Sequence, residues 1–338
     1  MIWYKEKNDN DIIISTRVRL ARNLKNYPFP ALLSDVGAKQ ATDIIEKAIL
    51  DSNSTLAKEF EIYHISDIGA VDKKMLFEKH LISPDLLKKP NASVMLSKDD
   101  CMSIMLMEED HIRLQVILGG FKPDEAYEIA NRVDDVIDEN VEYAFDKDFG
   151  YLTSCPTNTG TGLRVSVMMH LPALTLTNNI QKIISSAGNL GIAVRGLYGE
   201  GSNADGGLYQ ISNQVTLGIS EKEIVEKVKN IVGQIEKSEK EVRQKLLENN
   251  RTYIEDKVWR AYGTLKYARS ITSSEAKTLI SDCLMGKNMG IIDSIGENLI
   301  ELMILASPAA LEEKAQKTLA PEERDRNRAQ LLRTALNS

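Results

Sequence analysis

Short runs of alternating hydrophobic and polar residues dominate the first two thirds of the chain. Between Ile12 and about Gly218 these runs are bounded by Gly, Pro, Asn or Asp, which is typical of half-buried β-strands. Two segments with helical spacing interrupt them, residues 34–50 and residues 123–140. Because strands follow one another without a helix between them, the pattern predicts an α+β fold with a mainly antiparallel sheet and flanking helices.

A helical pattern replaces the strands from Ser220 onward. Residues 220–223 form a capping box, and the apolar residues that follow lie three, four or seven positions apart. Further helices are predicted over residues 272–284, ending near Gly286, and over residues 291–305 and 321–336. We therefore predict an α+β domain over residues 1–245 and an all-α C-terminal domain over residues 246–338.

Length and composition agree with two folded domains. The 338 residues exceed what a single hydrophobic core usually covers, and 43% hydrophobic with 27% charged residues is ordinary for globular proteins. Lys and Arg total 42 against 49 Asp and Glu, which gives a net charge of −7. That charge disfavours direct nucleic-acid binding through the overall field of the protein.

The cysteines and the N-terminus bear on the cellular compartment. Cys101, Cys155 and Cys283 are widely spaced and form no CxxC pair, which argues against a disulfide framework or zinc cage and favours a reducing cytoplasm. The N-terminus lacks a basic segment followed by an apolar stretch, and no window approaches the roughly 20 apolar residues that span a bilayer. We expect a cytoplasmic protein with no membrane segment and no dedicated metal site.

Arginines recur on one face of the predicted strands. Arg17 and Arg19 alternate with apolar neighbours, Arg113 and Arg164 do so in two further runs, and Arg195 ends a weaker one. If these strands share a sheet, its open face collects guanidinium groups that repel one another unless an anion such as a triphosphate neutralises them. The alternative is local pairing of each arginine with a carboxylate. Since there is no Walker A sequence, arginines rather than a P-loop would hold the phosphates.

Acidic residues flank two of these arginine positions. Residues 108–110 (Glu-Glu-Asp) precede the Arg113 strand, and Glu200 lies in a glycine-flanked loop after Arg195. A pair of carboxylates beside a phosphate site can hold a cationic acceptor, align it and take its proton. The alternative is a solvated acidic turn.

One cysteine and one histidine have two interpretations each. Cys155 lies in a loop rich in Thr and Gly that leads into the Arg164 strand, so its thiol either lies near the ligand, where arginines favour the thiolate, or is an inert core group. His80 either contacts a nucleotide or caps a helix end.

Five motifs together resemble the phosphagen kinase superfamily and, within it, the bacterial protein arginine kinases of the McsB type. They are residues 15–23 (STRVRLARN), 108–113 (EEDHIR), 155–164 (CPTNTGTGLR), 195–202 (RGLYGEGS) and 209–214 (YQISNQ). The last two look specifically like the protein-directed branch, and the resemblance runs from about Ile12 to the C-terminus.

The resemblance implies a glutamine-synthetase-like α+β catalytic domain that binds ATP with Mg²⁺, the metal being held mainly by the nucleotide. It implies an ATP site formed by Ser15, Thr16, Arg17, Val18, Arg19, His80, Arg113, Arg164, Val165, Ser166, Val167, Met168, Arg195, Gly196, Leu197, Tyr198, Gly199 and Glu200. It also implies that Glu109 and Glu200 hold the acceptor guanidinium and that Cys155 contacts it, as catalytic residues. One glutamate would be the base and the other the aligner, and the sequence does not assign them.

The last predicted helix carries a further motif. By residue pattern alone it is a solvated charged helix, in which Arg324 and Arg328 are like charges one turn apart. The resemblance instead implies an allosteric phosphoarginine-binding motif of the RDxxRA type, formed by Arg324, Asp325, Arg326, Asn327, Arg328 and Ala329.

The resemblance also implies an activity and partners. The activity is ATP-dependent phosphorylation of arginine side chains in proteins, with a McsA-type activator, a stress repressor as substrate, Clp protease machinery that receives the products, and a homodimer. Only about a dozen residues precede the first arginine strand, where kinases of small guanidino compounds carry a helical domain. We expect this difference to favour arginine displayed on a protein. The alternatives are a phosphoarginine-binding regulator with little activity and a kinase of free guanidino compounds.

Overall fold

The computed structural model describes residues 2–6, 10, 12–196, 205–293, 295–296 and 298–337. Within these ranges eight strands form one sheet and two short strands form a hairpin. The sheet contains β1 (Ile13–Arg22), β2 (Phe60–His64), β3 (Ser93–Ser97), β4 (Met102–Leu106), β5 (Ile112–Gly119), β8 (Leu163–His170), β9 (Ile192–Gly196) and β10 (Leu208–Asn213). The hairpin consists of β6 (Phe145–Asp146) and β7 (Gly150–Tyr151).

The strand order of the sheet is β2-β3-β4-β5-β1-β8-β10-β9. Strands β2 to β5 are sequential antiparallel neighbours, and β1 pairs antiparallel with β5. Strands β3, β4 and β5 follow one another without a helix between them, so they can pair through short turns. The predicted α+β fold with a mainly antiparallel sheet is confirmed.

Ten α-helices lie in the described part of the chain. They are α1 (Asp35–Leu50), α2 (Ala70–Glu78), α3 (Pro123–Asp138), α4 (Pro172–Leu176), α5 (Ile180–Asn189), α6 (Glu221–Tyr267), α7 (Ser273–Asn288), α8 (Leu299–Leu305), α9 (Pro308–Ala315) and α10 (Pro321–Asn337). Ser34 caps α1 by accepting a hydrogen bond from the Gly37 amide, and Ser220 and Glu223 form the predicted capping box of α6. The helical character of the C-terminal part is confirmed.

Four short helices have no counterpart in the sequence prediction, namely α2, α4, α5 and α9. Their apolar faces are too small for a periodic signal, since α2 buries only Met75 and α5 only Ile180 and Ala187. The helix predicted over residues 291–305 is also too long. Of the described residues in that range, only Leu299–Leu305 are helical.

The helix predicted over residues 272–284, with a stop near Gly286, continues through that glycine to Asn288. A Cβ atom on Gly286 would lie 2.2 Å from Cγ1 of Val258 on α6. This glycine therefore permits the close approach of two helices and does not terminate one. In sequence the two uses of glycine look alike.

The sheet has a core face formed by the apolar positions of its central strands. Val18, Leu20, Leu114 and Val116 are all at most 1% exposed. Helix α3 packs on β5, and α1 packs on α3. The polar positions that alternate with these residues therefore belong to the opposite face.

The chain divides into two compact units, each built from separate segments. One contains Met1–Trp3, Ser15–Ser166 and Ser212–Lys229, and the other contains Tyr4–Ile14, Val167–Ile211 and Asn230–Ser338. Within α6 the backbone leaves the helical conformation at Asn250, where φ is −136° and ψ is 29°. The domain boundary near residue 245 stays a prediction. In the described ranges no helix is long and apolar enough to cross a membrane.

Candidate active site

The side of the sheet that carries Arg17, Arg19 and Arg113, which we call the arginine face, lies on β1 and β5. These residues belong to the first unit, the one that contains Ser15–Ser166. Arg17 and Arg19 are half-buried, whereas their neighbours Val18 and Leu20 lie in the core, as the alternation predicts. In the antiparallel register Arg19 is opposite Gln115 and Ala21 is opposite Arg113. Directly opposed residues share a face, so Arg113 projects from the same side of the sheet as Arg17 and Arg19.

Electrostatics show that a fourth arginine belongs to this face. Burial lowers the pKa of Arg17 to about 10, and repulsion from Arg113 and Arg164 contributes to this shift. The pKa of Arg19 is lowered well below its ordinary value by burial and then by Arg17, Arg113 and Arg164. The structure therefore brings together Arg17, Arg19, Arg113 and Arg164.

The arginine face fits an anion that carries several charges. The Nε atom of Arg19 is buried and has no hydrogen-bond partner in the described part of the chain. A buried donor without an acceptor is costly, and guanidinium groups match phosphate oxygens in pairs. The charge of Glu108 opposes this shift by raising the pKa of Arg19. At Arg19 the orphaned Nε fits a phosphate oxygen better than it fits local pairing with a carboxylate.

Two glutamates share the guanidinium of Arg113 at the rim of this face. Nη1 of Arg113 lies 2.6 Å from Oε1 of Glu108, and Nη2 lies 3.1 Å from Oε2 of Glu109. The side chain of Glu108 is 1% exposed and that of Glu109 is 41% exposed. The acidic rim is therefore in direct contact with the arginine face and is not a solvated turn.

The environment of Glu109 raises the pKa of its carboxyl group. Burial raises the pKa of Glu109, Arg113 offsets part of this effect, and Asp110, Glu108 and Asp85 raise the pKa further. A carboxylate with a raised pKa is a stronger base than an ordinary one. Glu109 is accordingly both accessible and suited to accept a proton.

The loop that contains Cys155 is bound to the acidic rim. Ser154 donates from its hydroxyl to the carbonyl oxygen of Glu109 at 2.8 Å and from its backbone amide to Oδ1 of Asp110 at 2.7 Å. The Cys155 Sγ atom lies 3.0 Å from Oγ1 of Thr157 and is partly accessible. Glu109 and Cys155 were predicted separately from the sequence, and the structure brings their backbones together.

Two residues that support the site, Arg22 and Asn23, were not identified as functional from the sequence. Arg22 is buried, donates to Oδ2 of Asp134 from both Nε and Nη2, and donates from Nη1 to the carbonyl oxygen of Thr161. Asn23 donates to Oδ1 of Asp110 at 2.7 Å. The alternation of side chains along β1 could have identified Arg22. It lies at the end of the strand, on the face opposite to Arg17 and Arg19.

Several other residues of the first unit that were predicted to contact the nucleotide do not point to the arginine face or are buried. Thr16 projects from β1 toward the core face of the sheet. Its hydroxyl donates to the Gly120 carbonyl oxygen at 2.7 Å and accepts from the Lys122 amide at 3.0 Å. Val18 shares that face. Three more of these residues, Ser15, Val165 and Ser166, are buried. The side chains of Thr16 and Val18 are thus not brought to the arginine face.

His80 follows α2 and has the backbone geometry of a helix end. Its φ is 63°, its amide donates to the Phe77 carbonyl oxygen, and the next amide, of Leu81, donates to Leu76. Its carbonyl oxygen accepts from Nε2 of Gln115 at 2.8 Å, which links it to the polar face of β5. Both interpretations of His80 remain compatible with this position.

The remaining predicted nucleotide contacts fall in the second unit or outside the described residues. Val167, Met168, Arg195 and Gly196 belong to the second unit, on β8 and β9. Four predicted residues lie outside the described residues, namely Leu197, Tyr198, Gly199 and Glu200. In the described ranges no three His, Cys, Asp or Glu residues form a group that could hold a metal ion.

The tail motif makes internal contacts. Arg328 is 1% exposed, donates to the carbonyl oxygens of Ala306 and Ile271 at 2.7 and 2.9 Å, and pairs with Asp325 at 2.6 Å. Arg324 lies 3.0 Å from Oε1 of the buried Glu312. The other three positions differ in exposure: Ala329 is buried, Arg326 is exposed, and Asn327 lines a cavity between α8, α9 and α10. This helix is therefore anchored and is not simply solvated.

Two protein families match the sequence. Residues 40–242 match the ATP:guanido phosphotransferase C-terminal catalytic domain, and residues 251–338 match the protein-arginine kinase McsB C-terminal domain. A protein-arginine kinase from Caldanaerobacter subterraneus subsp. tengcongensis is 46% identical over 97% of this chain and 98% of its own length. One from Desulforamulus reducens is 46% identical over 98% of this chain and 93% of its own length.

Solved structures with the same fold include two kinases. A lombricine kinase superposes with a TM-score of 0.61 at 24% identity, over 69% of this chain and 68% of that chain. The substrate-free duplicated taurocyamine kinase from Schistosoma mansoni superposes with a TM-score of 0.60 at 22% identity, over 81% of this chain and 41% of that chain. At these identities the similarities concern the fold alone.

Proposed function

The chain belongs to the ATP:guanido phosphotransferase family, in the branch with the McsB-type C-terminal domain, and from this membership we propose that it phosphorylates arginine side chains of proteins. Family membership makes it a phosphotransferase and implies ATP as the donor. The acceptor in this proposal is the guanidinium group of an arginine within a protein. Near-full-length relatives named protein-arginine kinase support that choice.

One observation carries the proposal. A half-buried cluster of arginines that fits phosphates is in contact, through Arg113, with a partly exposed glutamate that fits a guanidinium. A phosphoryl donor and a cationic acceptor could thus be held side by side. Positioning of this kind supplies most of the rate enhancement in phosphoryl transfer.

The proposed mechanism assigns the proton transfer to a carboxylate. Because the pKa of a guanidinium exceeds about 12 and its lone pairs are delocalised, it is a poor nucleophile until it is oriented and deprotonated. Glu109 orients one terminal nitrogen or accepts its proton, and Glu200 takes the other of these two roles. Cys155 contacts the acceptor from the adjacent loop.

Four arginines stabilise the charge of the transferred group in this proposal. Arg17, Arg19, Arg113 and Arg164 provide fixed positive charge next to the acceptor site. Bound ATP with Mg²⁺ supplies the γ-phosphoryl group and a further counter-charge. His80, Arg195 and the 165–168 segment complete the nucleotide site in this proposal.

The test is transfer of acid-labile ³²P from γ-labelled ATP. An unfolded protein acceptor is compared with free arginine, using wild type, Glu109→Gln, Cys155→Ala and, as a matched control, Glu241→Gln on the exposed face of α6. We expect transfer to protein only, reduced about 100-fold or more by Glu109→Gln, weakened by Cys155→Ala and unchanged by Glu241→Gln. Transfer to free arginine would support a kinase of small guanidino compounds, and wild-type rates in Glu109→Gln would contradict the assigned role.

The finer parts of the proposal concern regulation and partners. We assign the catalytic domain to residues 1–245, the helical domain to residues 246–338 and an allosteric phosphoarginine site to Arg324–Ala329. We further propose a cytoplasmic homodimer with a McsA-type activator, a stress repressor as one substrate, and Clp protease machinery as receiver of the phosphorylated proteins. The presence of the McsB-type C-terminal domain supports this set.

A further inference from the structure

Glu108 is the most firmly fixed carboxylate of the acidic rim. Its side chain accepts three hydrogen bonds: from Arg113 Nη1 at 2.6 Å, from the Ser83 hydroxyl at 2.5 Å and from the Glu109 amide at 2.8 Å. Lys89 in addition donates to its backbone carbonyl oxygen. A buried carboxylate with this many donors is held in one orientation.

Glu109 holds the same guanidinium more weakly. Its oxygen lies 3.1 Å from Arg113 Nη2, and its side chain is 41% exposed, so solvent screens the pair. The two carboxylates compete for a single cation, and Glu108 has the shorter contact in the drier environment. Arg113 is thereby kept mainly on the side of the arginine face.

We propose that Glu108 is a positioning residue, which holds Arg113 toward the nucleotide side of the rim and so leaves the Glu109 carboxylate available to the acceptor arginine. This inference rests on the proposed function. Without the charge of Glu108, the guanidinium of Arg113 would turn fully to Glu109 and form the pair that the acceptor has to form.

The proposal predicts opposite effects on the two substrates. Loss of the Glu108 charge makes the acceptor compete with Arg113 for Glu109, which weakens acceptor binding. The same loss removes the carboxylate that partly neutralises Arg19, so the arginine face becomes more positive and nucleotide binding is kept or strengthened. General damage to the fold would instead weaken both.

The experiment measures binding without turnover. Anisotropy of a labelled peptide with one arginine gives the acceptor Kd of the nucleotide-free protein, a peptide with lysine instead is the control, and calorimetry gives the Kd of ADP. The variants are Glu108→Gln, Ser83→Ala, which removes the hydroxyl bound to Glu108, and Ser83→Thr, which retains a hydroxyl. We expect Glu108→Gln to raise the arginine-peptide Kd about tenfold, or about 1.4 kcal/mol, without weakening ADP binding. Ser83→Ala should show a smaller effect of the same kind, and Ser83→Thr should be close to wild type.

Several outcomes would overturn the inference. They are a parallel loss of both affinities, an unchanged arginine-peptide Kd in Glu108→Gln, or equal peptide affinities in the two Ser83 variants. If Glu108→Gln does not fold, the pair of Ser83 variants decides, because both retain the buried charge. A wild-type protein that does not distinguish the arginine peptide from the lysine peptide would contradict the proposed function itself.

Discussion

At the scale of single residues, the burial of like charges distinguishes the arginine face from an ordinary charged surface. Arg19 experiences burial and three neighbouring arginines, and its Nε has no hydrogen-bond partner among the described residues. Buried charges without sufficient compensation destabilise a fold. The site is therefore maintained at a cost in stability that a bound anion offsets.

Replacement of Arg19 by Met should separate stability from binding. We expect Arg19→Met to raise the free energy of unfolding of the nucleotide-free protein by about 1 kcal/mol and to abolish the rise in Tm that ADP causes in wild type. Thermal denaturation with and without ADP measures both effects. Arg251→Met is the control, because Arg251 is 72% exposed in an i,i+4 pair with Glu255 and its loss should change stability by less than about 0.5 kcal/mol. A nucleotide-free Arg19→Met protein less stable than wild type would contradict the argument.

At the scale of elements, the site depends on how closely the loop before β8 approaches the end of β1. Gly162 has a φ of +63°, and a Cβ atom there would lie 2.5 Å from Nη1 of Arg22 and 2.6 Å from the Ala21 carbonyl oxygen. Its own carbonyl oxygen accepts a hydrogen bond from the Ala21 amide at 3.0 Å. The glycine thus leaves room for Arg22 to hydrogen-bond to the Thr161 carbonyl oxygen in the loop before Arg164.

Two glycine substitutions should separate close approach from backbone strain. Gly218 has a φ of +73°, and among the described residues no atom lies within 4 Å of the position that its Cβ atom would take, so Gly218→Ala carries only the strain of the left-handed region. We expect Gly218→Ala to lower the free energy of unfolding by about 1 kcal/mol and Gly162→Ala by about 3 kcal/mol, because overpacking adds to the strain. Urea unfolding measures both. Equal losses would show that the contact with Arg22 and Ala21 is unimportant.

At the scale of the whole molecule, two buried histidines connect stability to pH, one in each unit. Burial lowers the pKa of His111 to about 4, partly offset by its contact with the Pro28 carbonyl oxygen and by Asp110. His111 also accepts a hydrogen bond from the Leu24 amide at 3.1 Å, which requires the neutral ring. Burial and Arg243 lower the pKa of His170 well below its ordinary value.

These lowered pKa values predict a loss of stability in mild acid. The unfolded chain binds a proton at each histidine near pH 6.5, whereas the folded protein does not, so stability is complete above pH 6.5 and falls as the pH decreases toward 4. Each histidine contributes a slope of up to about 1.4 kcal/mol per pH unit. Urea unfolding at pH 7 and pH 5 should show a smaller decrease for His111→Gln than for wild type. An identical decrease would contradict the assignment.

The sequence by itself determined the strand face of the arginines, the fold class and the cap of the long helix α6. These depend on local periodicity, in which Arg17 and Arg19 alternate with Val18 and Leu20, and on the capping box of Ser220 and Glu223. Arg113, Glu109 and Cys155 were also identified as candidates, from strand alternation, from the acidic run before the Arg113 strand and from the composition of the loop before Arg164. Local patterns contain enough information for such features because each is decided within a few residues of the chain.

Only the tertiary structure decided which distant segments meet at the site. That Ser154 binds Glu109 and Asp110 depends on segments more than forty residues apart coming together. The role of Gly286 was also decided by the tertiary structure. The local sequence predicts a helix end near this glycine, whereas in the structure it permits a close contact with Val258. Pairing across the fold is set by strand register and core packing, which no local pattern encodes.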